Sequence, residues 1–171
     1  MHDQERIVVA HHEAGHVLAA WAVHGVEIKE VRLHDEGGTT YLDRAAPNPL
    51  GELLISAAAG EVDNITRGEG WCFDPGNRHD IFDINDAVRS MGIDPDEMGP
   101  RYMAVMERAD RVCRKFVRKN FPWIHEVALA LAERGVLTGD ELASMLPAEL
   151  RDSLYRPKPR RTSKRQTELF P

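Results

Sequence analysis

The stretch V-V-A-H-H-E-A-G-H-V-L-A-A-W, Val8 to Trp21, constrains this chain most. Its Ala- and Val-rich flanks read as a helix buried on most sides. Yet its centre, H-E-A-G-H from His12 to His16, carries two imidazoles and a carboxylate. Polar groups on a buried helix need partners. Positions i and i+4 share one helical face, so His12 and His16 project side by side, as two imidazoles must to hold one ion. Glu13 is rotated by about 100° from His12, which suits it to a water on the ion better than to the ion itself. This is the H-E-x-x-H arrangement of zinc hydrolases, two histidine ligands and a general base. In that chemistry the ion lowers the pKa of its water to about 7, and Glu13 takes the proton and passes it to the leaving amine. Gly15, costly inside a helix, makes sense if something packs against the backbone there.

A catalytic site of this kind needs a third ligand and an open fourth position. Acids on the later helices are candidates, namely Glu61, Asp63, Asp80, Asp83 and Asp86, with His79 besides. Spacing alone does not choose among them.

The rest of the chain reads as one mainly helical domain with a small β-hairpin after the first helix. Asp3 opens a helix that runs to about His24, with Gly25 as the stop. Val26 to His34 has strand periodicity that slips phase between Val26/Ile28 and Val31/Leu33, the mark of a bulge. Thr39 to Asp43 supplies the second strand. Asn48-Pro49 caps a helix of small residues. Thr66 to His79 is polar and irregular, with Trp71 and Phe73 as loop anchors. Helices are expected over Asp80–Met91, Pro100–Asn120 and Pro122–Arg134. A capping box at Thr138–Glu141 opens a short last one. Trp21, Trp123 and Cys113 are expected in the core, and His11 as a hydrogen-bonded residue beside the motif. His24 suits the dipole at the helix end.

Charge divides the chain. Of its 22 basic and 28 acidic residues, six basic and one acidic fall between Arg156 and Pro171. The tail is thus at +5 and the body at −11. An acidic body argues against nucleic acid as its main partner; only the tail would touch phosphate, and weakly. The reading is a folded domain over residues 1–154 and a flexible basic tail over 155–171. Two cysteines, Cys72 and Cys113, make no disulfide framework. No signal-peptide pattern opens the chain and no apolar run is long enough to span a bilayer, so a cytoplasmic location is expected, with no membrane partner.

Taken together, these motifs resemble the peptidase domain of the FtsH-type AAA zinc metalloproteases. That domain carries H-E-A-G-H on its first helix, matched by His12 to His16. Gly38-Thr39-Thr40-Tyr41-Leu42 is similar to its G-x-T-x-Y-L strand. Ala58-Ala59-Gly60-Glu61-Val62-Asp63-Asn64 stands where the family has a run like L-A-G-R-A-A-E-E. Gly76-Asn77-Arg78-His79-Asp80-Ile81 stands where G-A-S-N-D-I opens the helix of the third ligand. Leu129 to Leu142 is similar to its C-terminal helical pattern. The resemblance spans Asp3 to Pro147.

It implies a zinc metallopeptidase in which His12, His16 and Asp80 bind the metal and Glu13 is the general base. Unfolded or flexible polypeptide would be the substrate, added to the Thr39, Thr40, Tyr41, Leu42 strand. If the family's acids orient a histidine ligand, Glu61 or Asp63 does so here. The 171 residues contain no G-x-x-x-x-G-K-[ST], so the expectation is a standalone, ATP-independent domain. The alternative is a non-catalytic interaction module of the same fold, with a structural metal closed by a fourth side chain such as His79. The tail adds a docking candidate. Its Gln166, Leu169 and Phe170 match the Q-x-x-L-F peptide by which bacterial proteins bind the sliding clamp.

Overall fold

The computed structural model describes residues 3–35, 37–68 and 78–156. Helix α1 (Asp3–Ala22) runs through the middle of the molecule. Ala10, Ala14 and the run from Val17 to Ala20 are fully buried. Strands β1 (Glu27–His34) and β2 (Gly37–Arg44) follow as an antiparallel pair. Then come α2 (Pro49–Arg67), α3 (Arg78–Ser90), α4 (Pro100–Arg134), β3 (Val136–Thr138) and α5 (Gly139–Met145). The expected mainly helical fold with a small sheet is what the structure has. α1 packs on α2, on α4 and on the sheet.

Small residues let α1 and α2 approach closely. A Cβ on Gly15 would lie 2.8 Å from Val62 Cγ2 and 3.0 Å from the Ala59 Cα, so only glycine fits the crossing. The cost of Gly15 in a helix is offset by this contact. At the start of α2, Asn48 Oδ1 accepts from the backbone N–H groups of Leu50 and Gly51, with Pro49 in the first turn, as the sequence predicts.

The sheet has the order β2-β1-β3, which leaves β2 at an edge. The predicted bulge is present, with register shifts between Glu27 and Ile28 and between Ile28 and Glu30. The hairpin of the sequence reading is a three-stranded sheet, because Val136–Thr138 pairs with Glu30–Arg32. Three residues are too few to show a period of two.

Several expected boundaries move. α1 ends at Ala22, two residues early. α2 continues to Arg67 and α3 starts at Arg78, so the ends of the segment read as irregular are helical. The two helices expected around Pro122 are one, since α4 passes through the proline. Proline removes a helical hydrogen bond and crowds the preceding turn, at a cost of about 3 kcal/mol. Against this, Val117, Asn120, Ile124 and Val127 are buried on both sides of it. Asn120 Nδ2 also donates to Phe116 O at 2.8 Å. Tertiary packing overrides the local break. Trp21 and Trp123 are half-buried at the margin of the core, whereas Cys113 lies inside it.

The described residues end beside a short parallel bridge. Tyr155 pairs with Val23, His24 N donates to Tyr155 O at 2.8 Å, and Leu154 N donates to Ala22 O at 2.9 Å. The rest of the basic tail, with Gln166, Leu169 and Phe170, lies outside the described residues, as do Trp71, Cys72, Phe73, Gly76 and Asn77. Among the described residues no helix is long and apolar enough to cross a membrane.

Candidate metal centre

His12 and His16 stand one turn apart on α1, and their Nε2 atoms are 3.2 Å from each other. Asp80, in the first turn of α3, faces both. Its Oδ2 lies 3.0 Å from His12 Nε2 and its Oδ1 lies 3.1 Å from His16 Nε2. Of the acids left open by spacing, the structure brings Asp80 to the histidines. Asp83 and Asp86 are exposed on α3, and Asp86 pairs with Arg89. His79 is exposed. Among the described residues no fourth His, Cys, Asp or Glu joins the group.

The three donor atoms could hold a metal ion. Tetrahedral ligands held at about 2.0–2.2 Å are separated from one another by roughly 3.3 Å, close to the spacing found here. The opposite sides of the rings are also engaged. His12 Nδ1 donates to Asp63 Oδ2 at 2.9 Å, and His16 Nδ1 donates to the Ile55 carbonyl at 3.1 Å. A carbonyl only accepts, so His16 carries its proton on Nδ1 when neutral and keeps the Nε2 lone pair for the shared centre. Both supports come from α2, which the Gly15 crossing presses against α1.

Burial lowers the pKa of His12, but the hydrogen bonds and charges of Asp63 and Asp80 outweigh it and raise the imidazole to about 10. Burial likewise opposes protonation of His16, and Asp80 again overcomes it, so that pKa is raised too. Asp80 is held far below the usual carboxylate range; burial works against this, and His16 and His12 outweigh it. Protons on the imidazoles and a cation between them are thus alternative ways to satisfy the same carboxylate.

Glu13 is buried on the side of α1 that faces the sheet. Thr40 Oγ1, on β2, donates to Glu13 Oε2 at 2.8 Å. Two residues earlier on the same strand is Gly38, where a Cβ would overlap Glu13 Cγ and stand 2.9 Å from its Oε1. The edge strand therefore shapes the slot that holds the carboxylate. Thr40, expected to touch substrate, is first of all the partner of Glu13. Thr39 pairs with His34 Nε2 at 3.3 Å, Tyr41 is exposed, and Leu42 packs on the core.

Of the two acids considered for orienting a histidine, Asp63 does so. Glu61 turns to α4, where its Oε1 meets Arg118 Nε at 3.3 Å. The Ile55 carbonyl leaves no signature in sequence and could not have been found there. His11 is more deeply placed than expected. It is buried, its Nδ1 donates to Ile7 O at 2.7 Å, and its Nε2 lies 2.9 Å from His125 Nδ1 on α4. Burial lowers its pKa. The neutral ring therefore accepts from His125, and it takes no part in the centre. His24 lies beyond the helix end and pairs with Asp152 at 3.0 Å. Compared with known proteins, the chain matches no family model and no curated protein.

Proposed function

We propose that this chain is a zinc-dependent metallopeptidase of the FtsH peptidase type, acting on unfolded or flexible polypeptide. The observation that supports this most is the convergence of His12 Nε2, His16 Nε2 and the Asp80 carboxylate, with both Nδ1 atoms engaged elsewhere. His12, His16 and Asp80 would hold the ion. When bound, zinc would supply Lewis acidity to a substrate carbonyl and to water.

The chain's own residues would do the rest. Glu13, next in sequence to one ligand, accepts a proton from water at its carboxylate and returns it to the leaving amine. Thr40, by holding Oε2, fixes the direction in which Glu13 acts. Asp63 keeps the proton of His12 on Nδ1, so Nε2 stays a donor to the ion. The free edge of β2, from Thr39 to Leu42, offers backbone groups to an extended peptide beside the centre.

The test is zinc content together with cleavage of an unfolded protein. One zinc per chain is expected in the wild type and in Glu13→Gln, with hydrolysis in the wild type alone. Hydrolysis retained in Glu13→Gln would refute the mechanism. Zinc bound tightly with no cleavage by the wild type would favour the interaction module.

A further inference from the structure

A second pair of histidines stands apart from the candidate centre. His11 of α1 and His125 of α4 meet where the two helices pack, with His11 Nε2 2.9 Å from His125 Nδ1. The ring centroids are 5.2 Å apart and the ring planes are tilted by 34°. His11 and His12 are neighbours in sequence, but about 100° separates them around α1, so this pair lies on a different face of the helix.

His11 is buried and its ring is held on two sides. Nδ1 donates to the Ile7 carbonyl at 2.7 Å, and the ring stacks on Phe121 with 6.1 Å between centroids. A carbonyl only accepts, so the neutral ring keeps its proton on Nδ1 and turns the Nε2 lone pair toward α4. One ring nitrogen on a backbone carbonyl and the other left to bind is how metal-binding histidines are commonly oriented. His16 has the same arrangement with Ile55. His125, by contrast, is exposed. Its proton can sit on either nitrogen, because water can solvate whichever one faces out. With the proton on Nε2, two lone pairs face each other across the contact, and a cation between them satisfies both.

We infer that His11 Nε2 and His125 Nδ1 form a second metal site, for a transition ion such as Zn2+ or Cu2+, that clips α1 to α4. Two tetrahedral nitrogen ligands at about 2.0–2.1 Å from an ion stand roughly 3.3 Å apart. They are 2.9 Å apart here, so the exposed His125 ring need withdraw only slightly to admit the ion. Among the described residues no further His, Cys, Asp or Glu joins the pair, so water completes the shell. Imidazole nitrogens suit Zn2+ and Cu2+, whereas Ca2+ and Mg2+ require oxygen. With two side-chain ligands against three, this site should bind zinc more weakly than the candidate centre. The inference does not depend on the peptidase reading.

The test compares the intact wild type with His125→Asn under titration with zinc chloride, followed by calorimetry and by metal analysis. Asn keeps an amide donor for His11 Nε2 at an exposed position, so the fold is retained, but it has no ring nitrogen for an ion. The wild type should bind one equivalent of zinc more than the variant, whatever the candidate centre itself holds. The same weak equivalent should shift the imidazole proton resonances of His11 and His125 together, and should raise the thermal midpoint of the wild type alone. Equal zinc content in the two proteins overturns the site. So does an extra equivalent that binds without moving the His11 and His125 resonances, since it would then sit elsewhere on the surface.

Discussion

Asp63 Oδ2 stands 2.9 Å from His12 Nδ1, while Asp80 Oδ2 stands 3.0 Å from Nε2 of the same ring. One imidazole is thus held between two carboxylates of different duty, one facing the centre and one behind it. Removing the rear support, as in Asp63→Asn, should weaken zinc binding by about 10–100-fold without removing a ligand. Competition against a chromophoric chelator would read this directly. An unchanged affinity would mean that Asp63 serves the packing of α2 and nothing more.

Gly38 gives a second prediction. A Cβ there would overlap Glu13 Cγ, and Glu13 is buried. Gly38→Ala should displace the carboxylate while leaving all three candidate ligands in place. Misplacing a catalytic group by about 1 Å can cost on the order of 100-fold in rate. Zinc content should therefore be normal while turnover falls by about that factor. Loss of zinc in this variant would show that β2 supports the ligands as well.

Gly15→Ala tests the crossing of α1 and α2. The Val62 methyl can yield, but the Ala59 Cα belongs to the backbone of α2 and cannot do so alone. Overpacking of this kind costs about 1–3 kcal/mol, against up to about 1 kcal/mol gained in helix propensity. A net loss is expected, lowering the thermal midpoint by about 2–4 °C per kcal/mol in a domain of this size. Because Ile55 and Asp63 travel with α2, zinc affinity should fall in the same variant.

On the proposed reading protons and zinc would compete for the centre, which fixes a pH dependence. The folded-state pKa of His12 is raised from 6.5 to about 10, and that of His16 is raised as well. In the zinc-free protein these groups stabilise the fold fully below about pH 6.5, and the contribution is lost as pH rises toward about 10. Asp80 works in the other direction. Its lowered pKa contributes stability above its ordinary value of 3.8, and that contribution is lost as the solution is acidified below it. Thermal melts of zinc-free protein should thus show greatest stability between these limits and a decline from pH 7 to 9. Zinc binding should strengthen over that alkaline range, since the imidazoles must shed protons to bind. A zinc-free protein equally stable at pH 6.5 and 9 would contradict this.

The sequence made the histidine-bearing helix legible because one residue spacing, His12 to His16, encodes one helical face. It made the α2 cap, the β1 bulge and the α5 capping box legible for the same reason: each is a local pattern with a local cause. Asp80 could not be singled out among the acids by spacing, because its meeting with α1 is a product of how α2 and α3 pack. Resemblance named it, and in the structure its carboxylate stands beside both histidines. The Ile55 carbonyl and the contact of Gly38 with Glu13 involve backbone, which sequence does not label. The unbroken α4 was hidden for a different reason, since a buried stripe on both sides of Pro122 outweighs a strong local stop signal.

The bridge between Val23 and Tyr155 fixes where the last described residues sit. His24 N and Ala22 O hold residues 154 and 155 at the C-terminal end of α1. That end lies about 9 Å along the helix axis from His16. Whatever is joined beyond Arg156, whether a tether, a label or a second protein, therefore starts from an anchorage built onto the same rod that carries the histidines. A probe placed there would report on the distance to the centre through a single rigid helix.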